Sequence, residues 1–256
     1  MLRDFQTALG RLVRAPAWGD KPLERIADLD LSETERAMIA AALLKPSVAF
    51  LVKAQRSWAR FKSGEAAALT LSILDAARRE ALVEDWIELG GGTDFLIISE
   101  ANAFLDYIAE RLPNPSHELS ICRMEQAVHL ANGGARSYAP LAVDTALAAP
   151  QLIKHTEATL VDFYADPNVL FDCIHGQKPL PPVEAYTASW LIAPGIPGLY
   201  QLASAEQVRA MHQLVQATTP QALLQLVSRQ TFDELCSVGA IALGPVHTFF
   251  PDRVQV

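Results

Sequence analysis

From Tyr186 to Ala193 the chain reads Tyr-Thr-Ala-Ser-Trp-Leu-Ile-Ala, breaks at Pro194-Gly195-Ile-Pro-Gly198, and restarts as Leu199-Tyr-Gln-Leu202. Aromatic and β-branched runs on either side of a Pro/Gly turn predict a β-hairpin. Three helix starts follow at Ser204-Ala-Glu-Gln207, Thr218-Thr-Pro-Gln221 and Thr231-Phe-Asp-Glu234. In each, a Ser or Thr hydroxyl can accept from an orphan N–H while Glu or Gln three residues on answers it. A hairpin next to three short helices requires a small antiparallel sheet, and the fold class expected is α+β.

Upstream the period is helical. Leu2, Phe5, Leu9, Leu12 and Val13 recur at helix spacing up to Pro16, and Ser32-Glu-Thr-Glu35 is a capping box for a second helix that stops at Pro46. Val48, Leu51, Val52, Gln55 and Trp58 form the expected apolar side of a third helix, whose other side carries Lys53, Arg56 and Arg60. Glu65–Leu89 reads as helix up to Gly90-Gly-Gly92, Thr93 can cap a helix over 94–111, and Asn114-Pro115 can open another that ends at Asn132-Gly-Gly134. The domains expected are therefore an all-helical 1–132, a Gly/Ala/Ser/Pro linker 133–150, and 151–256. The last contains a strand near Thr159–Phe163, a short helix over Val169–His175 and an extended connector at Lys178–Pro182. Its hairpin and three helices resemble a winged helix.

The 256 residues are half hydrophobic, enough to bury a large core. A net charge of −8 opposes the phosphate neutralisation on which nucleic-acid binding depends. The three cysteines, Cys122, Cys173 and Cys236, are too scattered for a disulfide framework, which suits a reducing cytoplasm. No signal peptide and no apolar run long enough to span a membrane are evident, so neither export nor membrane attachment is expected.

Few residues invite chemistry. Cys122 and His129 lie seven apart on one helix, with His117 upstream, but the spacing offers no closed ligand set, and a half-buried Cys with surface or capping His explains them as well. Cys173-Ile-His175 has no third member for a nucleophilic site. Neither a phosphate-binding glycine loop nor a hydrolase or zinc motif is present, so no catalytic residue and no metal ligand is assigned. Lys53, Arg56 and Arg60 share a helix side that can be a solvated face or a clamp for an anionic segment. Tyr186 and Trp190 alternate onto one face of the first hairpin strand, with Tyr200 on its mate; sheet packing and a peptide-contact face are both open.

Leu2-Arg-Asp-Phe-Gln-Thr-Ala-Leu9, Cys122-Arg-Met-Glu-Gln-Ala127, Ser189-Trp-Leu-Ile-Ala-Pro194 with Leu202-Ala-Ser-Ala-Glu206, and Phe232-Asp-Glu-Leu235 with Val238-Gly-Ala-Ile241 resemble the partner proteins of multinuclear non-haem iron oxidases that modify ribosomal peptides, as in methanobactin or 3-thiaglutamate pathways. The resemblance implies a helical N-terminal region, a C-terminal peptide-recognition domain, and a non-catalytic subunit that holds a precursor peptide for the oxidase. It implies no cofactor in this chain, with the iron in the heterodimeric partner. It makes Tyr186, Trp190, Tyr200, Lys53, Arg56 and Arg60 the peptide-binding candidates. The competing expectations are a winged-helix transcription regulator, a free-standing enzyme and a scaffold without ligand.

Overall fold

The computed structural model describes residues 2–14, 22–91 and 97–244. Its contacts group into two compact units, Met1–Pro113 and Asn114–Val256. The first unit is helical: α1 (Leu2–Arg14), a 3-10 turn (Pro22–Ile26), α2 (Glu33–Leu43), α3 (Pro46–Ala66), α4 (Ala68–Ile73), α5 (Ala76–Glu88) and α6 (Ile97–Ala109). The capping box of α2 is present, with Glu35 N donating to Ser32 Oγ at 3.2 Å and Ser32 N to Glu35 Oε2 at 2.9 Å. Pro46, expected to stop α2, also opens α3, where a missing N–H costs nothing. The helical stretch expected over 65–89 is divided at Ala67 and again at Asp75, whose carboxylate caps α5 by accepting from Arg78 N at 2.9 Å. Ala101, Phe104, Leu105 and Ile108 of α6 are buried, as their spacing requires. Pro16 and the Thr93 cap lie outside the described residues.

One helix face is turned from that expected: Val52 is buried and Val48 packs on the core, but the rest of the expected side is not. On α3 the buried positions are Val52, Ala59, Ser63 and Ala66, while Leu51 and Trp58 are 53% and 50% exposed. Small residues allow close approach, and α3 presents them to the helices around it, contacting α1, α5 and α6. Hydrophobicity alone drew the face too far toward Leu51 and Trp58.

The second unit is mixed: α7 (His117–Ala135), α8 (Val143–Ala148), β1 (Leu152–Lys154), β2 (Thr159–Phe163), α9 (Pro167–His175), β3 (Ala188–Ile192), β4 (Tyr200–Leu202), α10 (Ala205–Gln213), α11 (Pro220–Leu224), α12 (Arg229–Ser237) and β5 (Ile241–Leu243). Two small antiparallel sheets, β1-β5 and β2-β3-β4, give the α+β arrangement. The hairpin forms as expected, with Trp190 opposite Leu202 and Ile192 opposite Tyr200. Leu191, Met211, Leu223, Phe232, Leu235 and Ile241 belong to one core between strands and helices.

The division of the chain thus falls upstream of the expected linker. α7 ends one residue past Gly134, at Ala135, and an added Cβ at Gly134 would lie 1.5 Å from Glu157 Oε2, so the glycine permits a close approach. Beyond it, Ala146 is fully buried, Leu141, Val143 and Leu147 join the same core, and the Tyr138 hydroxyl donates to Ser237 O. The 133–150 stretch is small-residue packing surface within the second unit.

Three caps also move. Ser116 rather than Asn114 caps α7, accepting from Leu119 N at 3.0 Å. Thr219 rather than Thr218 caps α11, because the Thr218 backbone bridges Leu152. Ser228 rather than Thr231 caps α12. Thr231 instead donates through Oγ1 to Glu206 Oε2 at 2.6 Å, and Ser228 donates to the same oxygen through Oγ at 2.7 Å and N at 2.9 Å. These bonds, the Thr231 hydroxyl first, hold the Glu206 carboxyl down to about 2 and tie α10 to the start of α12. No single helix among the described residues is long and apolar enough to cross a membrane.

Candidate functional site

The second unit's three-stranded sheet has one closed edge and one open edge. Strand alternation turns the backbone groups of Leu160 and Asp162 outward from β2. There α7 lies against the strand, and Ser120 Oγ donates to Asp162 O at 2.6 Å. At the other end, Ala203 N donates to Ser189 O at 2.9 Å and Ala193 N to Leu199 O at 3.0 Å. These bonds set the phase of the ladder, so the N–H and C=O of Tyr200 and Leu202 point away from β3. Their side chains are also open, 45% and 65% exposed. Among the described residues β4 pairs only with β3.

Trp190 and Tyr200 are brought together, but as a stack: their ring centroids are 4.6 Å apart and the planes differ by 7°. On its other side Trp190 stacks on Phe171 of α9 at 5.1 Å and 6°, and Phe163 leans in at 5.1 Å. Both faces of the indole are therefore covered. The column Phe171–Trp190–Tyr200 ends at the open edge, where Tyr200 is the ring left with exposed surface. Tyr186 precedes β3 and stands apart from the column. Its hydroxyl lies 3.2 Å from Ser189 Oγ, which donates to Asp162 Oδ1 at 2.5 Å. Buried Ser189 thus passes Tyr186 onto an acidic partner and pins the chain entering β3.

Sequence reasoning missed Phe171, Phe163 and Ser120. Phe171 and His175 sit four apart on the short helix expected at 169–175 and share a face, their rings 6.2 Å apart, so that spacing was the available signal. Nothing in the sequence marks Ser120 as the cover for an edge that lies 42 residues away.

Lys53, Arg56 and Arg60 lie in the other unit, on α3. Glu84 of α5 binds Arg56, and binds Arg60 at 2.5 Å, with Glu88 and Glu80 at 3.9 and 3.7 Å. Two of the three cations are thus neutralised by their own helix bundle, and Lys53 is exposed. For the thiols and imidazoles, His117 donates from Nε2 to Pro181 O at 2.9 Å, fixing the connector. Cys122 and Cys236 are buried, and burial, with the Asp233 charge, pushes the Cys236 thiol up to about 11. Cys173 and His175 fall two apart on a helix and diverge by about 200°. No group of three or more His, Cys, Asp or Glu that could hold a metal occurs among the described residues. No family model matches the chain, and no curated protein matches it.

Proposed function

We propose that the chain is a non-catalytic accessory subunit that binds a precursor peptide and presents it to an iron-dependent peptide-modifying oxidase. The observation that carries the reading is the open β4 edge beside an aromatic column, on a sheet whose opposite edge is closed. A peptide laid along β4 pairs with the outward groups of Tyr200 and Leu202 and rests on their side chains. Its recognition domain is of winged-helix type: α10, α11 and α12 follow one another, and β5 returns from α12 to pair with β1. Its hairpin comes before the three helices, unlike the wing of a DNA reader. The exposed Arg229 of α12 is already paired with Asp233 at 2.8 Å, which also disfavours the regulator reading.

The test uses fluorescein-labelled leader segments of candidate ribosomal precursor peptides and anisotropy. Leu202→Pro removes one outward N–H without touching the pairs inside the hairpin, and Tyr200→Ala removes the exposed ring. Each should weaken binding roughly tenfold, about 1.4 kcal/mol. Trp190→Ala should also weaken binding, through loss of the Tyr200 stack. Full affinity in folded Leu202→Pro and Tyr200→Ala proteins would remove β4 as the site.

A further inference from the structure

The side of α3 that faces away from its own bundle carries Phe50, Leu51, Trp58 and Phe61, at 70%, 53%, 50% and 56% exposed, and the α2–α3 corner adds Leu44 at 86% and Met38 at 58%. A face this apolar is unusual on a lone soluble unit. Counting about 150–250 Å² for an aromatic side chain, these six residues leave roughly 700 Å² exposed, close to the ~800 Å² per partner of a standard interface.

The order of residues identifies what fits. Phe50, Ala54, Ser57 and Phe61 are spaced four, three and four apart, the seam of a coiled coil, while the buried Val52, Ala59 and Ala66 repeat at seven on the opposite side. The seam is symmetric about its centre: large, small, small, large. Two copies of α3 crossing antiparallel therefore put Ala54 of one against Ser57 of the other where the axes approach, and Phe50 against Phe61 at either end. A twofold interface needs such a self-complementary patch, which an unrelated partner has no reason to impose.

The flanks agree. On the side of α3 away from α5, Leu51 of one copy meets Trp58 of the other. On the α5 side, Lys53 of one copy comes beside Arg60 of the other, and Glu80, its side chain 67% exposed, is the counter-charge for both. We infer that this face is a homodimer interface, with α3 packed antiparallel on α3 of a second copy. The inference is independent of the peptide-binding reading.

Sedimentation velocity on the full chain at tens of micromolar should give twice the 27.9 kDa chain mass. Phe50→Glu with Phe61→Glu, both at exposed positions, should weaken association by at least tenfold. Register is read by mild oxidation in a Cys173→Ser background: a tagged Ala54→Cys chain should cross-link to a Ser57→Cys chain, and neither should cross-link to itself. A monomer throughout, a dimer indifferent to the two glutamates, or Ala54→Cys self-linking would overturn the inference. So would a monomer that co-sediments with phosphatidylcholine/phosphatidylglycerol vesicles through Phe50 and Phe61, since the face would then serve a membrane surface.

Discussion

The two units hold themselves together by different means. In the first, long helices are joined by side chains of opposite charge: Arg56 and Arg60 share Glu84, and Lys62 reaches Glu100 at 3.1 Å with side chains only 11% and 8% exposed. In the second, the Ser228 and Thr231 hydroxyls at the start of α12 share the Glu206 carboxylate of α10, over a core that includes Phe232 and Leu235. A long helix offers enough length for paired charges to find each other. A nine-residue helix such as α12 has proportionally more unsatisfied backbone ends, so its stability depends on caps and on the core beneath it.

The largest expected effect that would sharpen this contrast comes from Phe232→Ala, which empties a fully buried ring site at about 3–5 kcal/mol. Amide exchange followed by mass spectrometry should show faster exchange in α10–α12 and unchanged exchange in α3 and α6. Equal acceleration in both units would mean that they unfold as one body. Next is Lys62→Met, which leaves the Glu100 carboxylate buried without its cation and should cost about 3 kcal/mol, with faster exchange in α3 and α6. A loss below about 1 kcal/mol would put this pair among exposed ion pairs and weaken the contrast.

The smallest effect is the pH dependence that Glu206 gives the second unit. Glu206 has an ordinary value of 4.5 and sits at about 2 in the fold, so its carboxylate stabilises the folded state above pH 4.5. That contribution is lost as pH falls from 4.5 towards 2. Urea midpoints for wild type and Glu206→Gln should therefore differ at neutral pH and converge in acid. A constant difference across that range would assign the loss to packing and not to the charge.

How much of this was legible depended on range. Ser32 with Glu35 and Ser204 with Gln207 are local partnerships, and both form. The hairpin was legible too, because its turn and both strands lie within one short stretch. Alternation put Tyr186 and Trp190 on one strand face, but β3 begins at Ala188 and leaves Tyr186 outside it; Tyr200 on the mate strand does meet Trp190, and the covering ring, Phe171, comes from an element that alternation does not describe. β1 and β5 were missed because each is three residues long and its mate is some ninety residues away, too short and too distant for any periodic signal. The α3 face was legible only in part: Val48 and Val52 do meet the core, but small Ala59, Ser63 and Ala66 complete the buried side while bulky Leu51 and Trp58 stay exposed, so hydrophobicity drew the face too far toward them. For the α12 cap, Thr231 fits the local pattern, and only the fold brings Glu206 close enough to claim its hydroxyl.

The brevity of β4 has a consequence for how the protein survives at high concentration. A strand edge bearing Tyr200 and Leu202 with its outward groups open is the kind of surface on which identical chains can stack into fibrils. Three residues span only about 10 Å, and the ladder stops at Ala203, where the chain turns into α10. A stacked copy would gain too few main-chain bonds to repay its lost freedom. A short guest could gain as many bonds here and add its own side-chain contacts, which a growing filament of this strand lacks.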